Sequence, residues 1–105
     1  MSTFTLVLQD ANGEERVADV ASFVGEDSSG SFGILAGHAP MVASLVVGLA
    51  RFRREATDWE YVALPSAVLR FDRNVLTLAT RHYLRGSDYT RISADLAREL
   101  VAEEA

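Results

Sequence analysis

The chain has 105 residues, which provides for one hydrophobic core and leaves no room for a second. Its formal net charge of −5 argues against nucleic-acid binding, which draws affinity from Lys and Arg neutralising phosphates. It has no cysteine, so disulfides and thiolate metal sites are excluded, and no apolar run approaches the ~20 residues that cross a bilayer.

The dominant period is two. Met1 to Thr5 lacks the basic region and apolar stretch of a signal peptide, and a reducing compartment is the natural expectation. Phe4, Leu6 and Leu8 then alternate with Thr5, Val7 and Gln9, as in a half-buried strand. Asn12-Gly13 is a hairpin signal, and Val17 to Val24 reads as the second strand. The polar stretch Gly25 to Gly30 ends it. Phe32 to Leu35 and Met41 to Val47 flank the turn Ala36 to Pro40, and Gly48 precedes an alternating segment through Phe52. Trp59 to Leu64, Ala67 to Phe71 and Val75 to His82 complete the strands. Short strands at near-regular spacing point to a sandwich or flattened barrel over residues 1–86. Residues 87–105 read as the first part of a helical segment. Ser87 or Asp88 can cap it, and Tyr89, Ile92, Leu96 and Leu100 recur at helical spacing. That helix either lies back on the sheet or begins a helical hairpin.

Catalytic and ligand-binding patterns are weak. Gly25 to Phe32 has P-loop glycine spacing but lacks the lysine, and its expected flanks are strands. Ser28, Ser29 and Ser31 lack the flanking glycines of a nucleophile elbow. His38 and His82 lie far apart, and no second ligand stands at metal spacing from His38. The sequence therefore points to no catalytic, metal or nucleotide site and no cofactor. Arg51, Arg53 and Arg54 read as the solvated face of a strand. Met41 to Val47 is different, being apolar on both alternating sets. Met41, Ala43, Leu45 and Val47 form one set, and Val42 and Val46 flank Ser44 in the other. A strand of a two-layer domain buries one set in its own core. The other meets either the C-terminal helix or a second protein.

The segment Gly30-Ser31-Phe32-Gly33-Ile34-Leu35-Ala36-Gly37-His38-Ala39-Pro40-Met41 resembles the signature of the epsilon subunit of F-type ATP synthases, roughly G-E-[FL]-G-I-x-P-G-H-A-P. Asn74 to Ala79 resembles the family's N-x-V-T-V-L-A strand, and the likeness extends along nearly the whole chain. Ala36 replaces the usual proline, Val46-Val47 a common Lys-Pro, and Arg81 a frequent acidic residue. Phe23-Val24, Ala50-Arg51, Trp59 and Pro65 are similar to the epsilon chains of the alternative, sodium-coupled enzymes of some bacteria. Ion choice resides in other subunits.

The resemblance implies a ten-stranded β-sandwich followed by a short helix. It also implies a non-catalytic rotor subunit on the cytoplasmic face of a bacterial membrane, attached to the gamma subunit and the c-ring without entering the bilayer. Met41, Val42, Ala43, Leu45 and Val46 fall on the family's gamma-facing strip. Asp27, Ser28, Ser29, Gly30, Ser31 and His38 fall where the family faces the c-ring, and Ser31 stands in place of a common glutamate. Ile92 to Ala97 does not match the I-D-x-x-R-A pattern by which some relatives bind ATP, so the resemblance implies no nucleotide site here.

Overall fold

The computed structural model describes residues 2–101, and the side chains of the first 99 of the chain apart from residue 1. Nine strands lie among them, where ten were expected: β1 (Phe4–Asp10), β2 (Gly13–Asp27), β3 (Gly30–Ile34), β4 (Met41–Leu45), β5 (Gly48–Arg54), β6 (Trp59–Leu64), β7 (Ala67–Asp72), β8 (Val75–Thr80) and β9 (Leu84–Gly86). They are followed by α1 (Tyr89–Asp95), which widens into a π-helical stretch over Leu96–Val101. The strand order is β4-β7-β8-β1-β2-β5-β6-β9, with β3 paired to β2. The sheet does not close into a barrel.

One strand makes the two layers. The first half of β2 pairs with β1 and the second half with β5 and β3. Between them the register shifts, and Asp19 adopts φ 61°. An extra residue in the left-handed region bends the strand and sharpens its twist. The bend lets one continuous sheet fold over itself. It also explains why β2 runs from Gly13 to Asp27 and not only over Val17 to Val24: Glu14, Glu15 and Arg16 are exposed and give no apolar alternation, yet pair with β1.

The alternating residues meet between the layers. Leu6, Leu8, Leu69, Phe71, Leu76 and Leu78 come from one side, and Phe23, Ile34, Phe52 and Val62 from the other, all fully or nearly fully buried. The β7–β8 hairpin turns through Arg73 and Asn74, both at positive φ, as a two-residue primed turn demands. Asp88 caps α1, its carboxylate accepting from the Arg91 N–H at 3.2 Å. The helix lies back on β6 and β9. Ile92 is 4% exposed and packs on Ala63, with Leu49, Leu84 and Leu96 around the pair. The Leu100 side chain and residues 102–105 lie outside the described residues.

Candidate functional site: an uncovered edge of the sandwich

β4 is the last strand on its side of the order, and α1 sits at the other end on β6 and β9. The helix therefore does not cover β4. On the strand, Leu45 is buried at 4% exposure, and Met41 and Ala43 are half-buried against the core. Val42 points outward and is 71% exposed. The strand ends at Leu45, so Val47 does not continue the inward set; it and Val46 are both exposed.

Register extends this face beyond one strand. Ser44 lies opposite Val68 of β7, which is 52% exposed, and Val68 lies opposite Ala79 of β8. Since Leu69, Phe71 and Leu78 point inward, Val68 and Ala79 must share the outer face with Val42. Next to them is an open depression of about 590 Å³, lined by Ser44, Ser66, Val68, Ala79, Thr80 and Arg81 among others. Neither histidine lines it. The outer face thus sets Val42, Val68 and Ala79 among Ser44, Thr77 and Arg70, with Arg70 directly opposite Val42 and pairing loosely with Asp72 at 3.9 Å.

The turn expected to face the c-ring is a tight β2–β3 hairpin. Asp27 Oδ1 accepts from the Ser29 amide at 2.8 Å and from its hydroxyl at 2.6 Å. These hydrogen bonds hold the carboxyl below its ordinary range. Gly30 takes φ 130°, a conformation that side chains rarely adopt. Ser28 and Ser29 are exposed, as is Ser31 on β3.

His38 does not join that hairpin. The Val46 N–H donates to the Glu26 carbonyl at 3.2 Å, which sets the hairpin beside the far end of β4. His38 precedes the start of β4, and its ring meets Phe71 edge-on at 5.9 Å. The five residues of β4 separate the two by about 16 Å of extended chain. Its Nδ1 lies 2.6 Å from the Ala39 carbonyl, and the neighbouring Gly37 amide donates to Asn74 Oδ1 at 2.7 Å. The Gly-His-Ala-Pro turn is thereby tied to the β7–β8 hairpin.

A second polar cluster was not foreseen. Arg85 of β9 reaches Glu60 of β6 and, at 2.6 Å, Glu15 of β2, with its guanidinium 5.5 Å from the Phe52 ring centre. Tyr83 donates to the same Glu15 at 2.8 Å. Desolvation, and then that hydrogen bond, push the Tyr83 phenol up to about 12. These residues are scattered in sequence, and only the register of β9 on β6 unites them. Among the described residues no group of three His, Cys, Asp or Glu side chains gathers as metal ligands would.

Residues 3–86 match the family described as ATP synthase, Delta/Epsilon chain, beta-sandwich domain. The chain belongs to this family. Among its ATP synthase relatives is the ATP synthase epsilon chain 2 of Cereibacter sphaeroides, 36% identical over 86 residues. That alignment spans 81% of this chain and 59% of the relative, so this chain matches about three-fifths of the relative's length. The delta/epsilon fold also recurs in solved structures. One is a chain of the Euglena gracilis mitochondrial ATP synthase (OSCP/F1/c-ring), at a TM-score of 0.72 and 18% identity, covering 93% of this chain and 64% of that one. Another is a chain of the central stalk/c-ring of the Tetrahymena thermophila mitochondrial ATP synthase, at 0.63 and 9%, covering 79% and 66%. At those identities the likeness is one of fold. No described helix is long and apolar enough to cross a membrane.

Proposed function

We propose that this chain is a non-catalytic central-stalk subunit of an F-type ATP synthase, docking on the gamma subunit and the c-ring and turning with them to couple ion flow to ATP synthesis or hydrolysis. It works at the cytoplasmic face of the membrane and is held there by its partners. The gamma-facing surface is the outer side of β4 and β7, centred on Val42 and bordered by Met41, Ala43 and Val46, with Leu45 supporting the strand from the core. The c-ring-facing surface is the hairpin Asp27, Ser28, Ser29, Gly30 and Ser31. His38 serves this reading by fixing the loop that leads into β4.

The observation that carries the proposal is the exposure of Val42 beside Val68 on an edge that the chain's own helix leaves bare. Contiguous exposed apolar side chains mark contact surfaces. An edge strand left open is also a hazard unless something pairs with or covers it. A joint that survives torque calls for an obligate-type contact, on the order of 2,000 Å².

Co-expression with the gamma subunit of the same genome tests the proposal. A stable complex is expected, lost in Val42→Asp while that variant's own stability stays within about 0.5 kcal/mol of the parent. A folded chain that captures no gamma subunit, or a Val42→Asp variant that binds as the parent does, would refute it.

A further inference from the structure

The outer face of the second layer carries a feature unrelated to β4. Arg53 lies directly opposite Trp59 across the β5–β6 pair, and Arg51 lies one diagonal step away. Both guanidinium groups stack on the one indole, at 4.5 Å for Arg51 and 5.6 Å for Arg53. Among the described residues, no carboxylate lies within ion-pair distance of Arg51, Arg53 or Arg54. Glu55 and Asp58, in the adjoining turn, make no such pair. By contrast, Arg16, Arg70, Arg85 and Arg98 each have an acidic partner.

A groove of about 350 Å³ with a mixed polar and apolar lining leads away from Arg51. Leu49, Val24, Tyr61 and Tyr89 line it, with Glu26 and Ser31 toward its other end. Tyr89 stands on α1 and meets Tyr61 at 5.3 Å, so its exposed ring forms a fixed wall. Stacking restrains the two arginine forks in a planar arrangement suited to bidentate carboxylates, and less entropy is lost on binding than for free side chains.

We propose that this face receives an acidic, amphipathic segment of a partner polypeptide, its apolar side chains entering the groove and its carboxylates resting on Arg51 and Arg53. Charge complementarity selects that occupant. A chain of net charge −5 is repelled by an extended anionic surface such as a lipid headgroup plane, whereas a narrow segment engages the basic patch alone. The surface lies on the opposite layer from β4 and does not depend on the rotor reading.

Trp59 is the only tryptophan, so its emission reports directly on the patch. The full chain is titrated with a short amphipathic Leu/Glu peptide, with the same peptide carrying Gln for Glu, and with vesicles containing about one-third phosphatidylglycerol. The acidic peptide is expected to shift Trp59 emission saturably at about 50 mM salt and to lose most of that affinity at about 500 mM. The Gln peptide and the vesicles are expected to leave emission unchanged. Arg51→Ser/Arg53→Ser is expected to weaken the acidic peptide by about tenfold or more, with Arg73→Ser as the unaffected control. No saturable shift, equal binding of the Gln peptide, binding of vesicles in place of the peptide, or undiminished binding to the double variant would each overturn the proposal. The peptide comparison on the parent chain decides the matter even where the double variant fails to fold.

Discussion

The two edges of the sandwich solve the same problem in opposite ways. At the β9 edge the chain protects itself: Ile92 of α1 fills the space over Ala63, and Arg85 ties three strands together beneath the helix. At the β4 edge nothing from the described chain covers Val42 and Val68. Similar residue types serve both edges, so hydrophobicity alone does not distinguish a self-covered edge from an open one. The distinction is where the helix docks.

The largest expected effect breaks the covered edge. Ile92→Ala removes the main anchor of a seven-residue helix too short to persist alone in water. A loss of about 2–3 kcal/mol in urea unfolding is expected. Val42→Ala, the matching change at the open edge, should stay within about 0.5 kcal/mol. Equal costs at the two sites would show that β4 is not open in solution. Gly25→Ala follows in size. A Cβ there would sit 2.9 Å from Phe23 Cε2 and 3.3 Å from Phe32 Cζ, and Phe23 is fully buried and cannot swing away. Overpacking of about 1–3 kcal/mol is expected.

Arg85→Met should cost about 1–2 kcal/mol, since it strands Glu60 while keeping most of the packing over Phe52, and the site's partial exposure keeps the loss below that of a fully buried pair. Tyr83 sharpens the same region through pH. Its phenol is pushed up to about 12, so the folded state favours the protonated form. That contribution is complete below the ordinary tyrosine pKa of about 10 and disappears as pH rises toward the folded value. Tyr83→Phe should flatten the alkaline fall of the unfolding midpoint. An unchanged slope would remove Tyr83 from the cluster.

These contrasts show what the sequence could express. Period-two alternation located most strands and their buried faces, because side-chain direction follows directly from extended geometry. The cap was legible as Ser87 or Asp88 from their place before the apolar helical run, and the structure selects Asp88. Three things were not legible. β9 has only Leu84, Arg85 and Gly86, too few residues to alternate. The bend at Asp19 shows itself only as a conformation, and aspartate is common in strand-flanking turns as well. The stacking of Arg51 and Arg53 on Trp59, like the meeting of Arg85 with Glu15, requires strand register, and one residue of slip would send each side chain to the other face. The separation of His38 from the Asp27 hairpin also depends on topology: β3 carries the chain away from the hairpin before the turn at His38, and β4 brings it back.

The smallest effect lies at the hairpin beside the open edge. Asp27 is lowered because the Ser29 hydroxyl and amide both donate to its ionised carboxylate. A depressed folded pKa stabilises the turn above the ordinary carboxylate value of about 4, and that contribution is lost as pH falls through the lowered value. The hairpin should therefore loosen in acid, whereas the Tyr83 cluster at the other edge loosens in alkali. Carboxyl titration followed by NMR should place Asp27 below the ordinary carboxylate value of about 4, with the Ser29 and Gly30 amides shifting at the same pH. Ser29→Ala should return Asp27 toward the ordinary range, because it deletes the first of the two donors and leaves the amide. If Asp27 titrates at the ordinary carboxylate value in the parent chain, the Ser29 bonds do not persist in water, and the hairpin would meet a partner as a mobile loop and not as a preformed turn.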